Sequence, residues 1–151
     1  MQKITPFLWF DGNAAEAIEF YSSIFGNSRV DSLMPGPNGQ LMGASFTLDG
    51  QSFMALNGGP MFQFTPAISL YVNCESQEEV DHFWTRLGEG GSYQPCGWLK
   101  DKFGLSWQII PAAMSRMLQD KDRARAGRVM QAMMKMGKID IAALQAAYDG
   151  A

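Results

Sequence analysis

Histidine and cysteine are nearly missing from this chain of 151 residues, which has one His, His82, and two Cys, Cys74 and Cys96. A centre built on several imidazoles is therefore excluded. Two cysteines are too few for a disulfide scaffold; they fit a reducing cytoplasm, where both are free thiols. Charge is sparse and nearly balanced, 12 Lys and Arg against 15 Asp and Glu for a net -3, so no nucleic acid or other polyanion partner is expected. No uninterrupted apolar run approaches the roughly 20 residues that cross a bilayer. Residues 1–6 hold no long apolar run behind a basic segment, so neither a signal peptide nor a membrane partner is expected. What remains, 46% hydrophobic and 18% charged, is the composition of one globular domain, or of two small modules sharing a core.

Residues 96–111 are the stretch around which the rest is organised. They read as two strands joined by a tight turn over 100–104, where Asp101, two lysines and Gly104 supply the turn chemistry. Beyond it Leu105, Trp107 and Ile109 alternate with Ser106, Gln108 and Ile110, a period of two that sends the sets to opposite faces of a sheet. Pro111 ends the strand. Gln108 has two readings, a sheet amide with a satisfied partner or a ligand-facing residue.

Upstream, residues 4–10 read as a strand with Leu8 and Phe10 on one face and Thr5, Phe7 and Trp9 on the other. Asn13 is placed to cap a helix, with Glu16 at its third position reaching back. Ala14, Ala17, Ile18, Tyr21, Ile24 and Phe25 recur at helical spacing, and Gly26 is the natural terminator. Strands follow over 29–34, 41–48 and 52–56, the last two joined by the hairpin signal Asp49-Gly50. Gly58-Gly59 runs into Pro60 rather than into a helix, which disfavours a phosphate loop. The order then repeats: a strand over 67–73, the capping box Ser76 to Glu79, a helix carrying Val80, Phe83, Trp84 and Leu87, and the opening stretch. The tail is helical and rich in methionine, with Asp140 capping a last helix over which Ile139 and Leu144 form a staple. Its basic residues, Arg123, Arg125, Arg128, Lys135 and Lys138, read as a solvated face rather than a membrane-binding one, because Asp120 and Asp122 lie among them. The tail is expected to dock on the sheet or on a partner subunit.

These motifs resemble the vicinal oxygen chelate superfamily, which holds glyoxalase I, fosfomycin-resistance proteins and extradiol dioxygenases. More narrowly the chain resembles the PhnB-like, 3-demethylubiquinone-9 3-methyltransferase-like family. The resemblance rests on Pro6-Phe7-Leu8-Trp9-Phe10-Asp11-Gly12-Asn13-Ala14, Ala17, Phe20-Tyr21, Phe25-Gly26, Ala55-Leu56-Asn57-Gly58-Gly59, Cys96-Gly97-Trp98, Asp101, Phe103-Gly104, Ser106-Trp107-Gln108 and Pro111. In the tail it rests on Asp122, Arg128-Val129-Met130, Met133, Met136, Lys138-Ile139-Asp140 and Leu144. It implies an α+β fold in which two β-α-β-β-β modules form a curved mixed-sheet cup, followed by a C-terminal helical tail. The whole is one domain over 1–151, with module one about 1–60, module two about 61–111 and the tail about 112–151.

In that superfamily metal ligands come from the first and last strands of each module. Matching the fosfomycin-resistance pattern places its first-strand histidine at Thr5 and its last-strand glutamate at Gln108. The corresponding positions of the other modules are Ala67 and Met54. A divalent site wants imidazole, thiolate or carboxylate, so no cofactor is expected, with a divalent metal as the alternative. The cup that remains is aromatic, with Phe7, Trp9, Tyr71 and Trp98 as candidate walls and Ser69 and Gln108 as polar points. Cys96 is read as a packed thiol rather than a nucleophile, Asp101 as a turn residue rather than a general base, and His82 as a helix-surface residue.

The functional expectation is a cytoplasmic protein that binds a small, partly aromatic molecule without a metal. The alternatives are a metal-dependent lyase or dioxygenase-type enzyme, a quinone-related methyltransferase as the family description suggests, and a non-catalytic structural dimer. Whether it is an enzyme is left open. A homodimer is expected, possibly with exchanged elements.

Overall fold

The computed structural model describes residues 2–151. The chain divides into two compact units, Met1–Phe64 and Thr65–Ala151. The expected boundary lay near residue 60. It falls later because residues past Pro60 pack back on their own unit: the Phe62 ring meets Trp9 edge-on at 4.9 Å, and Phe64 meets Phe10 at 5.3 Å.

The first unit runs β1 (Phe7–Phe10), α1 (Ala14–Ile24), β2 (Arg29–Pro35), β3 (Leu41–Leu48) and β4 (Gln51–Asn57). The second runs β5 (Leu70–Cys74), α2 (Gln77–Gly88), β6 (Ser92–Tyr93), β7 (Trp98–Lys100) and β8 (Ser106–Pro111). Both sheets have the same topology, β1-β4-β3-β2 and β5-β8-β7-β6. In each, the first and last strands pair in parallel and the other pairs are antiparallel. The duplication read from the sequence is thus present in the fold, an α+β architecture of two four-stranded mixed sheets.

Local chemistry explains most element limits. Asp49 and Gly50 take φ of 48° and 80°, the two left-handed residues of the tight turn that matches strand twist, and Leu48 pairs with Gln51 across it. β1 begins at Phe7, three residues later than expected, because Pro6 has no N–H to give the ladder and only its carbonyl takes part, accepting from Met54. β5 begins at Leu70 rather than at 67, because residues 65–68 form a turn in which the Thr65 carbonyl and hydroxyl accept from the Ile68 and Ala67 N–H groups. Ser76 caps α2 as expected, accepting from the Glu79 N–H; the Glu79 carboxylate reaches back to the N–H of Glu75, one residue before the cap.

The cap of α1 departs from expectation. Asn13 occupies the N-cap position without a side-chain bond, and Asn57 from the end of β4 accepts from the Ala14 N–H at 2.9 Å. After α1, the left-handed residue is Asn27, at φ 52°, rather than Gly26.

Each helix packs its apolar face on its own sheet. In the first unit Ala17, Ile18 and Tyr21 are buried with Phe46, Phe53 and Ala55; in the second Val80, Trp84 and Leu87 are buried with Leu99, Trp107 and Ile109. Each fully buried large side chain contributes about 1.5–3 kcal/mol. The tail forms α3 (Ala112–Leu118), α4 (Arg123–Met134) and α5 (Ile141–Asp149). It docks on the second sheet, where Ile110 at the end of β8 joins Met114, Met117, Val129, Ile139 and Leu144 in one core cluster. The Cys96 and Gly97 N–H groups fasten it further by donating to the Met136 and Gly137 carbonyls at 2.8 and 2.9 Å. α4 ends at Met134, before the expected stop at Gly137.

Candidate functional site

Alternation along the strands divides each sheet into a helix-covered face and an opposite, open face. In the first unit the open face of β1 carries Phe7 and Trp9, while Leu8 and Phe10 are buried beneath α1. Phe7 is 53% exposed and lies directly opposite Met54. Trp9 is half-buried because residues beyond β4 fold over it. Its Nε1–H donates to the Gly59 carbonyl at 2.9 Å, and a Cβ at Gly58 would sit 2.4 Å from the Trp9 ring. That close approach explains why glycine stands there. Thr5 lies before β1 and is half-buried.

The second unit assembles four predicted residues in one place. Tyr71 on β5 pairs with Gln108 on β8, and Gln108 pairs with Trp98 on β7, so the three side chains form a row across the open face. Tyr71 is 52% exposed, and Gln108 and Trp98 are half-buried. The Gln108 Nε2 donates to the Ser69 Oγ at 3.0 Å. Among the described residues Oε1 of Gln108 has no hydrogen-bond partner, so an amide edge flanked by two rings is available to a ligand. The Tyr71 hydroxyl bonds the Ser115 hydroxyl of α3 at 3.0 Å, which brings the tail to the rim of this row.

The register also makes the modules comparable. Met54 opposite Phe7 corresponds to Gln108 opposite Tyr71. The same offset matches Thr5 with Ser69, rather than with Ala67, which is exposed and outside β5.

The residues set aside in the sequence reading have structural surroundings. Asp101 is 2% exposed and its carboxylate accepts from the Phe103 N–H at 2.8 Å, the Leu105 N–H at 3.0 Å and the Trp107 Nε1–H at 2.9 Å. It organises the β7–β8 turn. Cys96 is half-buried with φ 65°. Cys74 is buried, and burial followed by repulsion from Glu79 and Glu75 pushes its thiol up to about 12, so it is inert at neutral pH. His82 is exposed on α2 against Phe83.

Sequence reasoning missed two neighbours of the row, Ser115 and Lys100. Lys100 was legible, since it shares its parity with Trp98, and it pairs across β7 and β8 with Ser106, which alternation had already set beside Gln108.

A model of the 3-demethylubiquinone-9 3-methyltransferase family matches residues 2–110. The chain belongs to this family. A PhnB protein from Bacillus cereus is 40% identical with a TM-score of 0.70, over 74% of this chain and 100% of that one. The fosfomycin-resistance protein FosX from Listeria monocytogenes, solved with Mn(II) and sulfate, is 16% identical with a TM-score of 0.53, over 71% and 89% of the two chains. A glyoxylase/bleomycin resistance protein/dioxygenase domain from Frankia sp. EAN1pec is 15% identical with a TM-score of 0.51, over 74% and 92%. The chain shares its fold with these last two structures. None of the curated proteins matches the chain. The family match stops before α3, so the tail resemblance read from the sequence lies outside it.

The residues at the ligand positions expected from the resemblance do not fit a divalent metal. Thr5, Met54, Ala67 and Gln108 offer a hydroxyl, a thioether, a methyl and a carboxamide, and the positional partner of Gln108 is the neutral hydroxyl of Ser69. None carries the charge or imidazole that such ions take from proteins. Among the described residues no three His, Cys, Asp or Glu are grouped to hold an ion, and no helix is long and apolar enough to cross a membrane.

Proposed function

We propose that this family member binds a small, partly aromatic molecule on the open face of its second sheet, with no metal at the site. The observation that carries the reading is the row Tyr71–Gln108–Trp98. Two rings flank an amide whose oxygen is unspent and whose nitrogen is oriented by Ser69. A planar ligand would stack on the aromatic side chains and pair its polar edge with the amide. Phe7 and Met54 on the open face of the first sheet are an apolar counterpart in the same register position.

Methyl transfer finds little support. A methyl-donor site of the usual kind needs a Gly-rich turn leading from a strand into a helix. Gly58-Gly59 leads from β4 into Pro60, and Gly90-Gly91 leads from α2 into β6.

A homodimer belongs to the same proposal. β2 is an edge strand on which Val30, Leu33 and Met34 are exposed, and these apolar side chains offer a surface to a second copy. A monomeric mass at micromolar concentration would count against it.

The test is a thermal-shift screen of planar ring compounds on the parent protein and on Gln108→Ala. A ligand at roughly a hundred times its Kd adds about 2.7 kcal/mol to the native state. The proposal expects a shift with the parent that is lost or much reduced in Gln108→Ala. If no ring compound shifts either protein, it fails.

A further inference from the structure

We infer that the ligand of this face is an organic anion, a planar ring bearing a carboxylate or phenolate oxygen. The inference rests on the ligand site proposed above and specifies its chemistry. It begins from Lys100, which alternation places on the same face as Trp98 and which pairs with Ser106 on one side and Ser92 on the other. Lys100 is half-buried. Among the described residues its ammonium has neither an ion-pair nor a hydrogen-bond partner. Every side chain that β5 to β8 set on this face is neutral or basic, so no carboxylate of the sheet answers the charge. An ammonium without a counterion on this face is free to make a charge-assisted hydrogen bond to an anionic ligand.

Ser106 supplies a second, independent sign. It is fully buried, and its hydroxyl oxygen has no hydrogen-bond partner. Nearly all buried hydroxyls in native proteins are paired, and those left over call for a missing partner. Ser106 pairs with Lys100 and precedes Gln108 by two positions on the same strand, so the cation, the unsatisfied hydroxyl and the amide occupy adjacent positions of one face. Ser69 accepts from Gln108, which leaves its own proton to donate. An ammonium, two hydroxyls and an amide N–H beside two aromatic rings select an oxyanion on a ring over a neutral ring.

The test uses isothermal titration of the full chain with 2-naphthoate and its neutral counterpart 2-naphthamide. The parent protein is expected to bind the carboxylate roughly tenfold or more tightly than the amide, the scale of a charge-assisted hydrogen bond. Lys100→Met keeps the apolar stem and is expected to abolish the preference by weakening carboxylate binding much more than amide binding. Lys100→Arg keeps the charge and is expected to retain the preference, which guards against a loss of folding in the Met variant. Ser106→Ala is expected to weaken carboxylate binding more than amide binding. Equal affinities in the parent, or a preference that survives Lys100→Met, would overturn the inference and leave the ligand site standing. If the parent binds neither naphthalene but another neutral ring from the thermal screen, the anion inference falls alone. If nothing binds, both fall.

Discussion

The side-chain oxygen of Asn57 accepts a hydrogen bond from the backbone N–H of Ala14 across 43 residues of sequence. One strand end thus caps the helix of its own module, while the Asn57 amide nitrogen donates to the Leu41 carbonyl on β3 at 2.9 Å. A single side chain ties together α1, β3 and β4.

Asn57→Ala removes both bonds and is predicted to cost about 1–2 kcal/mol, the value of a lost cap. Asn13→Ala, at the nominal cap position, is predicted to cost less than about 0.5 kcal/mol, because its side chain makes no cap bond. Urea unfolding of the two variants beside the parent separates these outcomes.

Asp101 carries a heavier structural load. Its two carboxylate oxygens accept from two backbone N–H groups and the indole of Trp107. Asp101→Ala leaves these buried donors unpaired and is predicted to destabilise by about 3 kcal/mol or more. Asp101→Asn is predicted to fall between the two, since one amide oxygen cannot replace both acceptors and the new NH2 faces a donor. Tryptophan emission during urea unfolding reads both variants.

The tail contains an acid-sensitive contact. The Tyr148 hydroxyl donates to Asp120, and this bond, followed by the Asp122 N–H, holds the Asp120 carboxyl below its ordinary 3.8. A depressed carboxyl contributes stability that is fully present above its unfolded value and is lost as pH falls through the folded one. Tyr148→Phe is therefore predicted to melt lower than the parent at neutral pH, with the gap closing as pH falls below 3.8. A gap that persists at the lowest pH would mean that Tyr148 acts through packing alone.

The sequence made the skeleton readable wherever the governing chemistry is local. Residues 41–48 are β3 as expected, Asp49-Gly50 is the turn, and Ser76 and Asp140 cap their helices. What it could not show lies between residues far apart in the chain. Asn13 carries the local signature of a cap, yet the bond comes from Asn57. Ile139 and Leu144 read as a staple, but their burial also involves Ile110 and Met114, which shows where the tail docks. The candidate site divides the same way. Parity put Phe7 with Trp9 and predicted that Gln108 shares a face with Ser106, while the row Tyr71–Gln108–Trp98 depends on the register of three strands, which no single strand encodes.

The central claim is that the open face of the second sheet is a ligand site built without a metal. Elemental analysis of protein purified without chelator, beside a Gln108→Ala variant, tests it most directly. The account predicts metal far below one ion per chain in both proteins. Near-stoichiometric metal in the parent that disappears in Gln108→Ala would contradict it and direct attention to metal-dependent chemistry at that residue.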